Sequence, residues 1–198
     1  MNSACIELKN ISYAYEEKKI LDGFSIRFPE GETTAIMAPS GKGKTTLLHL
    51  IAGLLTPLEG RVVFSKPNPR ISMVFQENRL VESARVFQNI KLVNPSLSKE
   101  EITALLSSLE LEDCYSKKAG NLSGGQARRL AIARALACQY DILLLDEPFT
   151  GLDEETKYKV MKCLKDKTKG KTVLLVTHSK EETEFFSSRI ELLKDLAV

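Results

Sequence analysis

The 198-residue sequence contains no tryptophan, only two histidines, and four cysteines scattered along its length. Cys5, Cys114, Cys138 and Cys163 form no CxxC pair and have no histidine close by in sequence. A metal or thiol-redox site is therefore not expected; packed, reduced thiols are. That usage suits a reducing, cytosolic compartment. Long apolar runs are missing too. Stretches such as Ile142 to Leu145 reach four or five residues, far below the ~18 that a membrane span needs. The opening Met1 to Lys9 is interrupted by charge and does not read as a signal peptide. No charge of one sign dominates, since 28 Lys and Arg oppose 26 Asp and Glu for a net +2. Such a balance offers no field to recruit nucleic acid, and none is expected as a partner. These absences predict a soluble chain that stays on the side where it is made.

What is present is ordinary globular composition, 43% hydrophobic and 27% charged. A chain of this size buries about 70% of its unfolded surface, so a core forms without cross-links. Short apolar runs alternate with helical patterns, which predicts an α/β fold with a mainly parallel sheet. Strands are expected at Ile6 to Leu8, Phe24 to Phe28, Thr33 to Met37, Arg61 to Ser65, Ile71 to Phe75, Asp141 to Leu145, Thr172 to Val176 and Ile190 to Leu193. Helices are expected from Lys44 to Ala52, stopped by Gly53, and from the capping box Ser98-Lys99-Glu100-Glu101 to about Leu109. Strand signals cease between Gln76 and Leu122, so this stretch reads as a small helical insertion.

The run Ala38-Pro39-Ser40-Gly41-Lys42-Gly43-Lys44-Thr45 lies between a predicted strand and a predicted helix. In that context the pattern GxxxxGK[ST] marks a phosphate-binding loop. Glycines let backbone N–H groups turn toward phosphate, and the helix N-terminus adds its positive dipole end. Lys44 would meet the β- and γ-phosphates as a point charge, and the Thr45 hydroxyl would ligate Mg²⁺. The side chain of Lys42 is expected to stay in solvent. Ala38 replaces the first glycine of the pattern, which is tolerable only at negative φ.

A second candidate site element is the apolar strand that ends in Asp146 and Glu147. It brings the first carboxylate to the carboxyl edge of the sheet, where open α/β folds bind ligands. One carboxylate can hold hydrated Mg²⁺ while the other accepts a proton from water. A third is Asn121-Leu122-Ser123-Gly124-Gly125-Gln126, in which Ser123 and Gln126 form a capping box for a helix over Ala127 to Cys138. Two glycines in that first turn cost roughly 1 kcal/mol each against alanine. An anion approaching bare backbone explains their presence.

With this element the chain resembles the ATP-binding cassette (ABC) ATPases, the nucleotide-binding subunits of transporters. The likeness covers essentially the whole chain and keeps the family's motif order. The phosphate loop is Ala38 to Thr45, with Thr46 following. Gln76 matches the Q-loop glutamine, and Leu122 to Gln126 match the signature motif. Asp146 and Glu147 match the Walker B aspartate and catalytic glutamate. Gly151-Leu152-Asp153 resembles the D-loop, and His178 matches the switch histidine. Tyr15, upstream with Tyr13, fits the adenine-stacking position, whereas His49 reads as a packing residue.

The resemblance implies a P-loop NTPase core with an N-terminal antiparallel β part and a helical insertion, all in one ABC ATPase domain. Residues 1–76 and 121–198 would form the catalytic core and about 77–120 the helical subdomain, the signature helix running on to about 138. It further implies ATP and Mg²⁺ as ligands, with Thr45, Gln76 and Asp146 toward the metal. Pro39 to Thr46, Tyr15 and the partner's Ser123, Gly124, Gly125 and Gln126 would enclose the nucleotide. Glu147, His178, Gln76 and Lys44 would carry hydrolysis. Two copies would pair head to tail on separate permease subunits, with a solute-binding protein outside, placing the chain on the inner face of the cell membrane. Gln76 to Arg85 would border the groove that receives the permease. Val74 to Leu80 most resembles importers of the nitrate, sulfonate and taurine type. An export subunit, a soluble non-transport cassette and a non-catalytic module remain the alternatives.

Overall fold

From Cys5 the chain turns Ile6 and Leu8 inward and Glu7 and Lys9 outward, the two-residue period of a half-buried strand. Asn10 interrupts it with a φ of 49°, and the next buried residue is Ile11. Register against the neighbouring strand shifts between Leu8 and Ile11. The strand continues past this bulge. Strand β1 therefore spans Ala4–Tyr15 and its antiparallel partner β2 spans Lys18–Pro29. The expected short strands cover only the regular portions of both. Strand β4 (Glu59–Phe64) pairs with the other edge of β1, giving an antiparallel sheet of order β2-β1-β4. The structure is a computed structural model that describes residues 4–37, 39, 41–186 and 189–192. Ala38, Ser40 and Leu193 lie outside the described residues.

Gly60 is where β4 meets the bulge. Its φ is +82°, and a Cβ there would overlap the carbonyl oxygens of Lys9 and Asn10. Gly60→Ala should destabilise the fold by about 1–3 kcal/mol from backbone conformation alone, with steric overlap adding to it. Gly170 supplies the comparison, since its φ is +73° and among the described residues nothing lies within 4 Å of its Cβ direction. In urea unfolding, Gly60→Ala should lower the midpoint well below that of Gly170→Ala. Equal midpoints would show that the bulge yields to a side chain.

The second sheet has the order β5-β6-β7-β3-β8, from β3 (Thr33–Met37), β5 (Ile71–Val74), β6 (Ile142–Asp146), β7 (Thr172–Val176) and β8 (Arg189–Leu192). The pairings β3–β7, β3–β8 and β6–β7 are parallel. Every residue of β6 and β7 is buried, as strands inside parallel sheets are. Asp141 anchors the entry to β6 by accepting from Lys66 Nζ at 2.7 Å and the Arg70 amide at 2.8 Å. Those donors hold its carboxyl at about 2, below the ordinary 3.8. Helix α1 (Lys44–Ile51) buries Leu47, Leu48, Leu50 and Ile51 in one cluster with Ile6 and Leu8 of the antiparallel sheet and Ile142 and Leu174 of the parallel one.

The chain divides into two compact units. The first holds the described residues up to Met73, Asp141–Asp146 and those from Gly170 onward, including helix α6 (Lys180–Phe185). The second holds Val74–Tyr140 and Glu147–Lys169. It contains α2 (Val86–Lys91), α3 (Lys99–Ser107), α4 (Gly124–Ala137) and α5 (Glu154–Lys167). Ser98 caps α3 as the sequence predicts, accepting from the Glu101 amide at 3.1 Å, though the helix ends at Ser107. Within this unit Asn89 is fully buried and satisfied by Val81 and Arg85 backbone groups.

Candidate nucleotide site

In the first unit, registers align the carboxyl ends of three adjacent strands. Ile36 of β3 and Asp146 of β6 both stand opposite Val176 of β7. The phosphate loop, Asp146 and His178 thus leave the sheet at one edge, where ligands of such sheets bind. Gly41 and Gly43 have φ of 78° and 80°, a region that favours glycine. At Gly43 a Cβ would also sit 2.7 Å from Ile20 Cγ2. Gly43 is the N-cap of α1, and among the described residues no side chain caps that helix end. The first-turn amides thereby suit an anion.

Lys44 is 6% exposed, and its Nζ donates to the Pro39 carbonyl at 3.0 Å, folding the ammonium over its own loop. Thr45 Oγ1 donates to Asp146 Oδ2 at 2.7 Å, with Asp146 only 2% exposed. This hydroxyl–carboxylate pair presents two hard oxygen ligands at the head of α1. Such a pair suits Mg²⁺, which keeps waters and phosphate oxygens in its remaining positions. Among the described residues no group of three His, Cys, Asp or Glu could hold a metal by itself. Tyr15 is 46% exposed, and Thr46 Oγ1 donates to its phenol at 3.5 Å, which brings the ring to the start of α1. Tyr13 meets that ring edge-on at 5.1 Å. Burial and the neighbouring Tyr15 push the Tyr13 phenol above its ordinary value.

His178 is exposed just after β7. Its neighbour Thr177 is buried, donates to the Glu182 carboxylate and accepts from the Ser179 amide at 3.0 Å. Ser179 in turn caps α6 through the Glu182 amide. Glu182 thus fixes the backbone that carries His178, a contribution the sequence reading missed. The Ser179-to-Glu182 spacing is a capping signal that could have pointed to it.

The second unit holds Gln76, Ser123 to Gln126, Glu147 and Asp153. Gln76 is exposed beyond β5, and Lys42, in the first unit, is partly so. Ser123 Oγ accepts from the Gln126 amide at 3.2 Å, and Gln126 Oε1 accepts from the Ser123 amide at 3.1 Å. This reciprocal box starts α4 at Gly124, three residues before the expected Ala127, so both glycines belong to the first helical turn. Among the described residues nothing lies within 4 Å of the Cβ direction of Gly124. Asp153 caps α5 through the Thr156 amide at 3.0 Å, which holds its carboxyl below the usual range. Glu147 has a φ of 47°, a conformation costing a non-glycine residue about 1–3 kcal/mol. Arg128, absent from the sequence-derived candidates, donates to the Glu147 carbonyl at 2.6 Å.

A strand–glycine loop–helix with a threonine against a strand-end aspartate defines a P-loop nucleoside triphosphatase. The profile of the ABC transporter family matches residues 21–150. The thiamine import ATP-binding protein ThiQ of Photorhabdus laumondii is 35% identical over 206 residues, covering 96% of this chain and 87% of that one. The dimeric structure of MJ0796, a bacterial ABC transporter cassette, superposes with a TM-score of 0.85 at 35% identity, covering 98% of this chain and 96% of that one. MJ0796 in a post-hydrolysis state with ADP and Pi gives 0.84 at 34% identity, with the same coverage. This chain belongs to the ABC transporter family and is an ATP-binding, ATP-hydrolysing subunit. Among the described residues, no helix is long and apolar enough to cross a membrane.

Proposed function

We propose that this chain powers import of a small solute, as a pair of copies seated on separate permease subunits at the cytoplasmic face of the membrane. The Thr45–Asp146 bond at the head of α1 carries the nucleotide reading, because it places metal-ligand chemistry beside a helix start that no described side chain caps. Likeness to ThiQ, named as a thiamine import protein, supports the direction of transport. In this reading residues 1–76 and 121–198 form the catalytic core and about 77–120 the helical insertion.

Thr45 and Asp146, joined by Gln76, would hold Mg²⁺, which when bound neutralises charge on the triphosphate. Lys44 and the loop amides bind the phosphates, and Tyr15 stacks on adenine. Glu147 accepts the proton of the attacking water, Gln76 orients that water, and His178 contacts the γ-phosphate. Ser123 to Gln126 of a second copy close over the same nucleotide, so ATP joins the pair and its cleavage releases it. The dimeric MJ0796 cassette supports this pairing. A solute-binding protein would deliver cargo from outside.

The test is to purify the chain with the membrane subunit it retains and reconstitute both in vesicles. Solute uptake, with ATPase stimulated by a binding protein on the opposite face, is the expected result. Outward transport without such a protein would assign an exporter, and retention on ribosomes instead would sink the transport reading.

A further inference from the structure

We infer that Arg128 is a positioning residue for ATP hydrolysis, its guanidinium fixing the backbone of the Gln76 segment and of the Glu147 turn in one mutual arrangement. Arg128 lies in α4 and is 3% exposed. Its Nη1 donates to the Phe75 carbonyl at 2.5 Å, the Gln76 carbonyl at 3.2 Å and Asn78 Oδ1 at 3.3 Å. Its Nη2 donates to the Glu147 carbonyl at 2.6 Å and its Nε to the Pro148 carbonyl at 2.9 Å. All of these residues lie in the second unit.

Burying a guanidinium is costly unless its donors are well satisfied. A staple needed only for stability could be built from apolar side chains without that cost. What a planar fork adds is direction: its donors are rigid, so the acceptors cannot slide relative to one another. Two of the main-chain carbonyls it holds belong to the residues read as water-orienting Gln76 and base Glu147. Glu147 also has the left-handed φ of 47°, and such conformations persist where surrounding contacts over-determine them. Arg128 bonds the carbonyl of that residue and of the next. Arg134 of the same helix bonds the Arg79 and Asn78 carbonyls, so it grips the first segment alone.

The inference rests on Glu147 being the base, and the experiment separates the two. In the full-length chain, Arg128→Met should lower kcat for phosphate release by about 10²-fold, the effect of misplacing a reacting group by about 1 Å. ATP affinity by equilibrium dialysis should change little, because the phosphate loop is untouched. Arg128→Lys, which keeps the charge but not the fork, should fall between, and it carries the same comparison if the methionine variant does not fold. On a Glu147→Gln background, loss of Arg128 should cost scarcely anything further, since what it fixes is the placing of the Glu147 base against Gln76. The inference is overturned by wild-type kcat in either Arg128 variant, by affinity falling in step with kcat, or by a full additional loss in the double variant. Full-rate hydrolysis by Glu147→Gln alone would instead fail the base assignment. A normal Arg128→Met beside an inactive Glu147→Gln would fail only the role given to Arg128.

Discussion

Glu147→Gln is expected to bind ATP but to hydrolyse it about 10²- to 10⁴-fold more slowly. The amide keeps the length of the carboxylate and cannot accept a proton from water at neutral pH. Arg128 grips the main-chain carbonyl of residue 147, so the substitution leaves the turn itself in place. Lys44, Thr45 and Asp146 are untouched, and binding should survive. With cleavage blocked, the ATP-bound pair should accumulate, visible as a monomer-to-dimer shift by size exclusion with ATP and Mg²⁺. Adding Ser123→Arg should prevent the shift by placing a bulky cation at the exposed head of α4. Turnover at the wild-type rate would remove Glu147 from the chemistry. A variant that stays monomeric both alone and with its permease would rule out the head-to-tail pair.

Lys44→Ala should lose binding itself. The side chain is almost fully buried, with its ammonium turned back onto the Pro39 carbonyl. A triphosphate entering the loop would meet this cation as its main protein counter-charge. Removing one member of a buried charge pair costs about 2–5 kcal/mol, or about 30-fold or more in Kd. Arginine would not substitute, because a planar fork does not reproduce a compact point charge. Titration with ATP in Mg²⁺ checks the loss, and a nucleotide-free melting temperature near that of the parent chain shows that folding is intact. Unchanged affinity and turnover would refute the phosphate-loop assignment.

The legible parts of this molecule are those whose chemistry is local in sequence. Gly41 and Gly43 are readable because a loop that folds around phosphate needs left-handed residues at set spacing, and both have φ near 80°. Ser123 and Gln126 are readable because a capping box joins residues three apart. Strand β6 is readable from its unbroken apolar run. The antiparallel strands are less so, since Asn10 shifts the inward period by one residue and hides how far β1 extends. Asp153 shows its D-loop likeness in sequence, but its second task as cap of the lysine-rich α5 emerges only from the Thr156 bond. Arg128 was invisible for a different reason. Helix α4 buries seven of its residues, mostly alanine and leucine or isoleucine, so no apolar stripe separates an inner arginine from a solvated one. Its acceptors lie about 20 and 50 positions away in the chain.

Among the acceptors described for Arg128, those contributed by Phe75, Gln76, Glu147 and Pro148 are main-chain carbonyls, and Asn78 contributes its side-chain amide oxygen. Every amino acid carries a main-chain carbonyl, so the bond is blind to the side chains it fastens. At those four carbonyl positions substitution leaves the acceptor in place. Phe75 and Pro148 can be exchanged without deleting an acceptor, whereas any change at position 128 removes several donors at once. The information that keeps two distant segments together is stored in a single codon, and positions such as Phe75 and Pro148 are fastened without their side chains being specified.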